Sequence, residues 1–560
     1  MTTVLDRSLD PQIGVIQRRW WILGVLVLSL VIVSLDNTVL NAALPAMRRD
    51  LQASAEDLQW IVDGYLLAFA ALILLAGNLG DRFGRKPALQ CGLLTFGAGS
   101  LLAVAADTTT TVLVARVVMG IGAAFIMPAT LSVVMTVFTG RDRAAAIGIW
   151  TAGAGVGVAL GPVLGGWLLD HFWWGSVFLI NVPIVAVAAI AGFFLVPNSL
   201  NPVAGRSDPV GAALSSIGFT CLIYAVISIP AVGFSDPTVL ASFALAVLVL
   251  TAFVAVELRA ANPMLPLWLF RSRRFSVASG TIGVLFFAMT GSLYFLTQYL
   301  QIVRGFSGLE AGIRTLPVAV GLAAAAPWGP WSVAKFGSRA PVACGMALSA
   351  LGLAAFSLVG AGTSDNLAIL ALLILGLGMG LVMGPATESI MSAVPAEIAG
   401  VGSAVNDMVR QLGGALGVAV LGSVLSVRFS DELSSGLGSL GLPEGVAAAT
   451  DSVGASHTLA VGMPGDTGHM VKQLGDSAFL AAMGTAALVA AGLVYLGAIV
   501  VLGSLPARST GPARMPAAGA SSVVIGVIDA PTAVIRRAEP VGRHRARSSR
   551  HLRQPTRHAR

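Results

Sequence analysis

Charge is scarce in this chain. Asp, Glu, Lys and Arg make up 11% of its 560 residues, where a soluble domain carries roughly a quarter. So few charged groups cannot cover a chain that is 56% hydrophobic with a mean hydropathy of +0.84, and a water-soluble fold is excluded. Cysteine is rarer still. Cys91, Cys221 and Cys344 lie far apart in apolar runs, which excludes a disulfide framework or thiolate metal site and reads as three small core residues. The histidines (His171, His457, His469, His544, His551, His558) fall in loops and tails. With no His–carboxylate cluster in the apolar runs, neither a metal centre nor a metalloenzyme is expected. No GxxxxGK[ST] loop is present, so ATP hydrolysis is not expected, nor any cofactor or other enzyme activity. The first apolar run follows Arg18-Arg19 and has no small-residue cleavage site, so it reads as an uncleaved first helix.

What the chain has in abundance is apolar runs of 18 or more residues, each able to cross about 30 Å of hydrocarbon as a helix. Fourteen spans are expected between residues 21 and 503, which makes the fold class an all-α polytopic membrane protein. An even count puts both termini on one side. Arg82, Arg85, Lys86, Arg141, Arg143, Arg206, Arg259, Arg271, Arg273, Arg274, Lys335 and Arg339 fall in loops on that side, against Arg48, Arg49, Arg304, Arg428 and Lys472 opposite. The positive-inside rule then places both termini in the cytoplasm and the protein in the cytoplasmic (inner) membrane.

The expected organisation is a short amino-terminal segment (1–20), a six-helix bundle (21–196), two additional helices with a linker (197–274), a second six-helix bundle (275–504) and a tail (505–560). The loop 430–475 is rich in Gly, Ser and acids, and two readings stay open: a solvated linker, or an ordered hairpin shaping the outer vestibule. Seven arginines crowd the last twenty residues of the tail, a composition that reads as disordered and able to touch anionic headgroups. The net charge of +7 comes largely from there, so it is no nucleic-acid signal.

The chain repeats itself weakly. GNLGDRFGRKPAL (77–89), between helices 2 and 3, has an echo in GPWSVAKFGSRAPV (329–342), between helices 10 and 11. GVGVALGPVLGG (155–166) in helix 5 is echoed by QLGGALGVAVLGS (411–423) in helix 13. Both echoes are offset by eight helices, as two six-helix halves separated by two extra helices would give. Repeated halves around a midplane site are a transporter architecture.

Within 77–89, Gly77 lets helix 2 approach a neighbour closely, and Asp81-Arg82-Phe83-Gly84-Arg85 turns tightly at the surface. Asp81 is placed to meet a helix N-terminus or an arginine, in a contact that breaks when the halves rock apart. In helix 5, Gly153, Gly157, Gly161 and Gly165 form one smooth face, and Pro162 adds a bend. Such a face suits either plain static packing or a gate between halves.

GNLGDRFGRK resembles the signature loop of the major facilitator superfamily, with a mild departure at Asn78-Leu79-Gly80. LVARVVMGIGAA (113–124) resembles its helix 4 motif, and TAGAGVGVALGPVLGG (151–166) the helix 5 motif that marks antiporters. SLDNTVLNAALP (34–45), WIVDGYLL (60–67) and FWWGSVFLINVP (172–183) resemble the fourteen-helix drug:proton antiporters, in particular the QacA-type branch that exports lipophilic cations. The resemblance implies the major facilitator fold and proton-coupled multidrug efflux by alternating access.

An acidic group at mid-bilayer costs about 2.5–3.5 kcal/mol and marks function by default. Asp36, Asp63 and Arg116 share a depth in the outer half of the first bundle, and are read as the proton-coupling set, with Asp36 approaching Arg116. Asp63, Tyr65, Asn41, Asp407, Phe287 and Tyr294 are read as substrate contacts, the rings suiting lipophilic cations. Arg410, one turn beyond Asp407, could instead neutralise it. No carboxylate lies between Thr315 and Trp331, an interval that includes Leu322, which favours monovalent over divalent cations. The expected partners are a small amphipathic drug, protons and the bilayer, and the expected state is a monomer. A dedicated exporter of one endogenous metabolite or lipid, or a membrane sensor that moves nothing, would use the same scaffold.

Overall fold

The computed structural model describes residues 10–199, 208–233, 235–260, 263–360, 365–439, 453–463 and 465–506. The basic tail from residue 507 onward lies outside them. Fourteen long helices follow one another: α1 (Asp10–Asp50), α2 (Ala55–Phe83), α3 (Arg85–Val104), α4 (Thr109–Val137), α5 (Gly140–His171), α6 (Asn181–Leu195) and α7 (Pro209–Val232), then α8 (Pro237–Glu257), α9 (Arg273–Gln298), α10 (Gly308–Ala325, continued by Trp328–Phe336), α11 (Arg339–Phe356), α12 (Asp365–Ala393), α13 (Ala399–Ser439) and α14 (Gly465–Ser504). Thirteen are long and apolar enough to cross a membrane singly, and the bent pair that forms α10 makes the fourteenth. The protein is a multi-pass membrane protein.

Local chemistry starts several of these helices. At α2, Ser54 Oγ accepts from the Asp57 amide at 3.0 Å while Asp57 Oδ2 accepts from the Ser54 amide at 2.9 Å. At α10, Ser307 and Glu310 make the same reciprocal cap. Helices α7 and α8 each begin Asp-Pro, with the aspartate accepting from amides of the first turn; the proline costs nothing there, because its missing N–H would be unpaired anyway. Between α2 and α3 the chain reverses at Gly84, φ 112°, and between α10 and α11 at Gly337, φ 76°. Only glycine adopts such angles without strain.

These matched caps and turns belong to a matched packing plan. In the first half α1 packs on α5 and α6, α4 on α2 and α3, and α3 on α6; eight helices on, α9 packs on α13 and α14, α12 on α10 and α11, and α11 on α14. The halves meet along two seams, α2 with α13 and α10 with α5, each the other's counterpart when the halves are exchanged. The turns are tied alike. Lys86 Nζ donates to Phe193 O at the end of α6, and Arg339 Nε donates to Leu505 O at the end of α14, a cation on the negative end of a helix in both cases. Asp81 and Arg85 have no such counterpart, since Ala334 and Ser338 stand at their places in the echo. The added pair α7 and α8 pack on each other, and α7 lies beside the α2–α13 seam, where Ser216 Oγ donates to Ala71 O at 2.6 Å and Tyr224 stacks on Trp60.

Helix α10 bends by 45° at the break before Trp328, where Pro327 and Pro330 remove backbone donors. Several expectations need correction. Loop 430–475 is not a bare linker in its described part: α13 extends to Ser439, Val453–Val461 is a helix, and α14 begins at Gly465. His457 in that short helix pairs with Asp476 of α14 at 2.7 Å. Cys91 and Cys344 are exposed and Cys221 half-buried, so they are not core residues.

The glycine face of α5 is also elsewhere than a gate would put it. Gly153, Gly157, Gly161 and Gly165 lie against Val27, Val31 and Ser34, Thr38, and Val39 and Ala42 of α1, inside one bundle. The seam to α10 uses Gly148, Gly155 and Gly166, set against Pro330, Leu322 and Leu309. Pro162 falls outside the residues whose side chains are described. A side chain at Gly161 would meet Thr38, so Gly161→Val should destabilise the bundle by about 1–3 kcal/mol through overpacking. Gly24, with nothing within 4 Å of an added Cβ, should accept Ala without loss. Thermal unfolding in detergent compares the two, and equal midpoints would refute the close α1–α5 contact.

Candidate functional site

Asp36 of α1 is 1% exposed, as is Arg116 of α4. Arg116 Nη1 donates to Asp36 Oδ2 at 2.5 Å, and Asn181 Nδ2 of α6 donates to Asp36 Oδ1 at 2.9 Å. The guanidinium also donates through Nε to Ile61 O of α2 at 3.2 Å, and its centre lies 4.2 Å from the centroid of the Tyr65 ring. Asn181 reaches Ser100 of α3 at 3.4 Å. Five helices thus converge on one carboxylate. The close approach of α2 to α4 that this needs is made at Gly120, whose hydrogen faces Tyr65 O. Sequence reasoning missed Asn181 and Ser100; the signal for Asn181 was an amide in the apolar run FLINVP.

Tyr65 is the wall between this pair and a central cavity of about 210 Å³. Both halves line it: Asn37, Thr38, Tyr65, Phe69 and Met127 from one side, Phe286, Met289, Met379, Met383, Asp407 and Arg410 from the other, with Leu322 among the rest. Four methionines give a wall that re-forms around differently shaped guests. Asn37 Nδ2 donates to Val33 O of its own helix, which leaves its carbonyl as an acceptor at the cavity.

Other expected residues fall in different places. Phe287 and Tyr294 do not line the cavity; Phe286, Met289 and Leu293 do. The reason is helical phase, since one residue turns a side chain by about 100°. Phe287 presents its backbone to Gly417, and Tyr294 is an exposed ring near Gly422. Asn41 lies outside the residues whose side chains are described. Asp63 is half-buried and absent from both the ion pair and the cavity wall. It lies about five turns along α2 from Asp81, at the end of the helix where Trp60 stacks on Tyr224 of α7. Asp407 is 1% exposed; Asn406 Nδ2 donates to its Oδ1 at 3.4 Å, and Arg410 Nη1 stands 3.9 Å away.

The turn after α2 locks the halves on the face that carries Arg82 and Arg85. Asp81 Oδ1 accepts from the Gly400 amide at 2.9 Å and Oδ2 from the Val401 amide at 3.0 Å, so the carboxylate caps the start of α13. Arg85 donates to Asp81 Oδ1 through Nε and Nη2, and to Ala396 O at 2.6 Å. Gly77 and Gly400 let the two backbones touch, and Arg82 lies over the Phe83 ring.

Removing one partner of a buried ion pair costs about 3–5 kcal/mol, because the other charge is left uncompensated. Asp36→Asn and Arg116→Met should each lower stability on that scale, and the double variant should lose less than the two together. Thermal unfolding of the four proteins checks this; strict additivity would refute the coupling. Asp81→Asn should lengthen spin-label distances between α2 and α13 on the Arg82 face, and unchanged distances would show that the cap does not hold the seam.

The Major Facilitator Superfamily pattern matches residues 26–418. The tetracenomycin C resistance and export protein of Streptomyces glaucescens is 34% identical over 498 residues, covering 88% of this chain and 93% of that protein. The multidrug efflux pump LfrA of Mycolicibacterium smegmatis is 34% identical over 489 residues, covering 86% and 96%. Among solved structures, the human organic anion transporter MFSD10 matches with a TM-score of 0.59 at 14% identity, over 88% of this chain and all of that one; this shows the fold alone. With helices, seams and relatives in agreement, the chain belongs to the major facilitator superfamily, and its relatives there include a resistance and export protein and a multidrug efflux pump.

Proposed function

We propose that the protein exports lipophilic, drug-like compounds in exchange for protons, by alternating access, as a monomer in the cytoplasmic membrane. The observation that carries this is the arrangement of two unlike sites on either side of Tyr65. One is a buried acid with a single guanidinium partner, and the other is a methionine-lined cavity shared by both halves. The excess of Lys and Arg in the loops of the Asp81 face supports a cytoplasmic assignment for that face and for both termini. The cavity is complete within one chain, which supports a monomer.

The working cycle follows from charge. A proton on Asp36 removes the anion that holds Arg116, and the guanidinium then shifts under the Tyr65 ring that forms the cavity wall. Substrate in the cavity presses the same ring from the other side. Each event therefore opposes the other across one side chain, which is what exchange requires. Opening toward the cytoplasm needs the Asp81 cap on α13 to release. Asp63, on the same helix as Asp81, is the second carboxylate on this route.

Ethidium efflux in everted vesicles tests the reading. Wild type should concentrate the dye only while a proton gradient stands, and Asp36→Asn should abolish gradient-driven movement. Arg116→Ala should uncouple dye movement from the gradient. Efflux in Asp36→Asn that still follows the gradient would overturn the assignment. Competition by chemically unrelated drugs is expected; export of one compound with no competition would point instead to a dedicated exporter.

A further inference from the structure

Four arginines are buried among the described residues, Arg85, Arg116, Arg274 and Arg410. Arg274 has unpartnered Nε and Nη1 atoms but does not line the cavity, and the other three can be compared by how fully their donors are used. Arg85 donates to Asp81, Ser132 O and Ala396 O. Arg116 donates to Asp36 and Ile61 O. Arg410, 5% exposed on the cavity wall, makes one hydrogen bond among the described residues, from Nη2 to Thr387 Oγ1 at 3.2 Å. Its Nε has no partner there. Its one carboxylate neighbour at salt-bridge range among the described residues, Asp407, lies 3.9 Å from Nη1, beyond hydrogen-bonding distance. Asp407 is under-used in turn, for its Oδ2 has no partner among the described residues.

This slack is held in place. The guanidinium centre lies 5.3 Å from the ring centroid of Trp150 of α5 and 5.3 Å from that of Phe286 of α9. Trp150 is itself fixed by donating to Thr130 Oγ1 at 3.1 Å. A planar cation set between aromatic faces keeps its plane while its edge stays free to donate. A buried charge short of partners is costly, so the wall is built to be completed by something that enters the cavity. A simple monovalent cation completes only half of it, because its attraction to Asp407 is offset by repulsion from Arg410 one turn away.

Resting on the proposed role of the cavity as the drug site, we propose that it is a receptor for dipolar substrates: planar amphiphiles carrying a cationic amine and, at the other end, a carboxylate or enolate. The amine meets Asp407, the anionic group meets the free edge of Arg410, and the apolar plane lies against Phe286 and the methionines. The site thereby differs from one made for cations alone. Its preference should fall on compounds that carry both charges.

Binding of a fluorescent quinolone series to the purified full-length protein tests this, with norfloxacin as the zwitterion, its methyl ester as the cation and its N-acetyl derivative as the anion. Wild type should bind the zwitterion tighter than either derivative by on the order of tenfold, the scale of one charge-assisted hydrogen bond. Arg410→Gln should erase the gap between zwitterion and ester, Asp407→Asn the gap between zwitterion and N-acetyl compound, and Arg410→Lys should restore part of the first. Equal wild-type affinity for zwitterion and ester, or an undiminished gap in Arg410→Gln, would overturn the proposal. If a variant does not fold, the three wild-type affinities decide alone. Displacement of ethidium by the ester separates the two levels: ester that displaces the dye while the zwitterion shows no advantage sinks only the dipolar preference, whereas no displacement by any of the three sinks the drug-site reading beneath it.

Discussion

A carboxylate that water does not reach constrains the whole amino-terminal half. Asp36 is met by a guanidinium and an amide, and those come from α4 and α6, with α2 and α3 closing behind them. Burying the two charges is expensive, and their attraction offsets that cost only when geometry is good and remaining donors are used. The small residues serve this end. Gly120 brings α4 onto α2, and the glycines of α5 bring α1 inward against it. A loosely packed bundle would admit water to the pair, which here is 1% exposed on both sides.

The second half repeats the packing without the charge. Gly376 of α12 faces Val318 O of α10 as Gly120 faces Tyr65 O, so Leu372 stands where Arg116 stands in the first half. Leu372, Val318 and Leu353 border a small apolar void there. The backbone plan is therefore indifferent to ion chemistry, and one copy alone has been given it. Two buried charges of the second half, Asp407 and Arg410, sit instead on α13 and face the cavity between the halves.

Much of this was legible in the sequence, for identifiable reasons. Hydropathy reports the membrane directly, so the number of spans and the eight-helix offset of the repeat could be read without coordinates. Depth arithmetic brought Asp36 and Arg116 to one level because a helix rises evenly along its axis. Azimuth was harder. Asp63 shares that level but sits on another face of α2, and the inward aromatic of α9 is Phe286, one position before Phe287. In lipid, hydrophobic residues cover all sides of a helix, so amphipathic phase, which orients helices in water, gives little guidance. The glycines of α5 show the same limit: their spacing demands a close neighbour but does not say that the neighbour is α1. Asn181 showed only as an amide in an apolar run, and Ser100 is one of several small hydroxyls in such runs, so neither stands out as an intramembrane charge does.

The turn between α10 and α11 keeps the glycine reversal and the tie to the last helix of its bundle, yet has Ala334 and Ser338 where its twin has Asp81 and Arg85. The carboxylate-to-helix lock therefore exists once, on the α2–α13 edge. On its counterpart edge, α5 with α10, Gly148 faces Pro330, and the charge attraction across the halves nearby is that of Arg143 of α5 for Glu388 of α12, with no carboxylate capping a helix. Two edges of one shape that are fastened by different chemistry resist separation unequally, and the stiffer one is the edge where a carboxylate takes two backbone amides. Near-twofold symmetry in shape thus coexists with a one-sided mechanics, set by two residues.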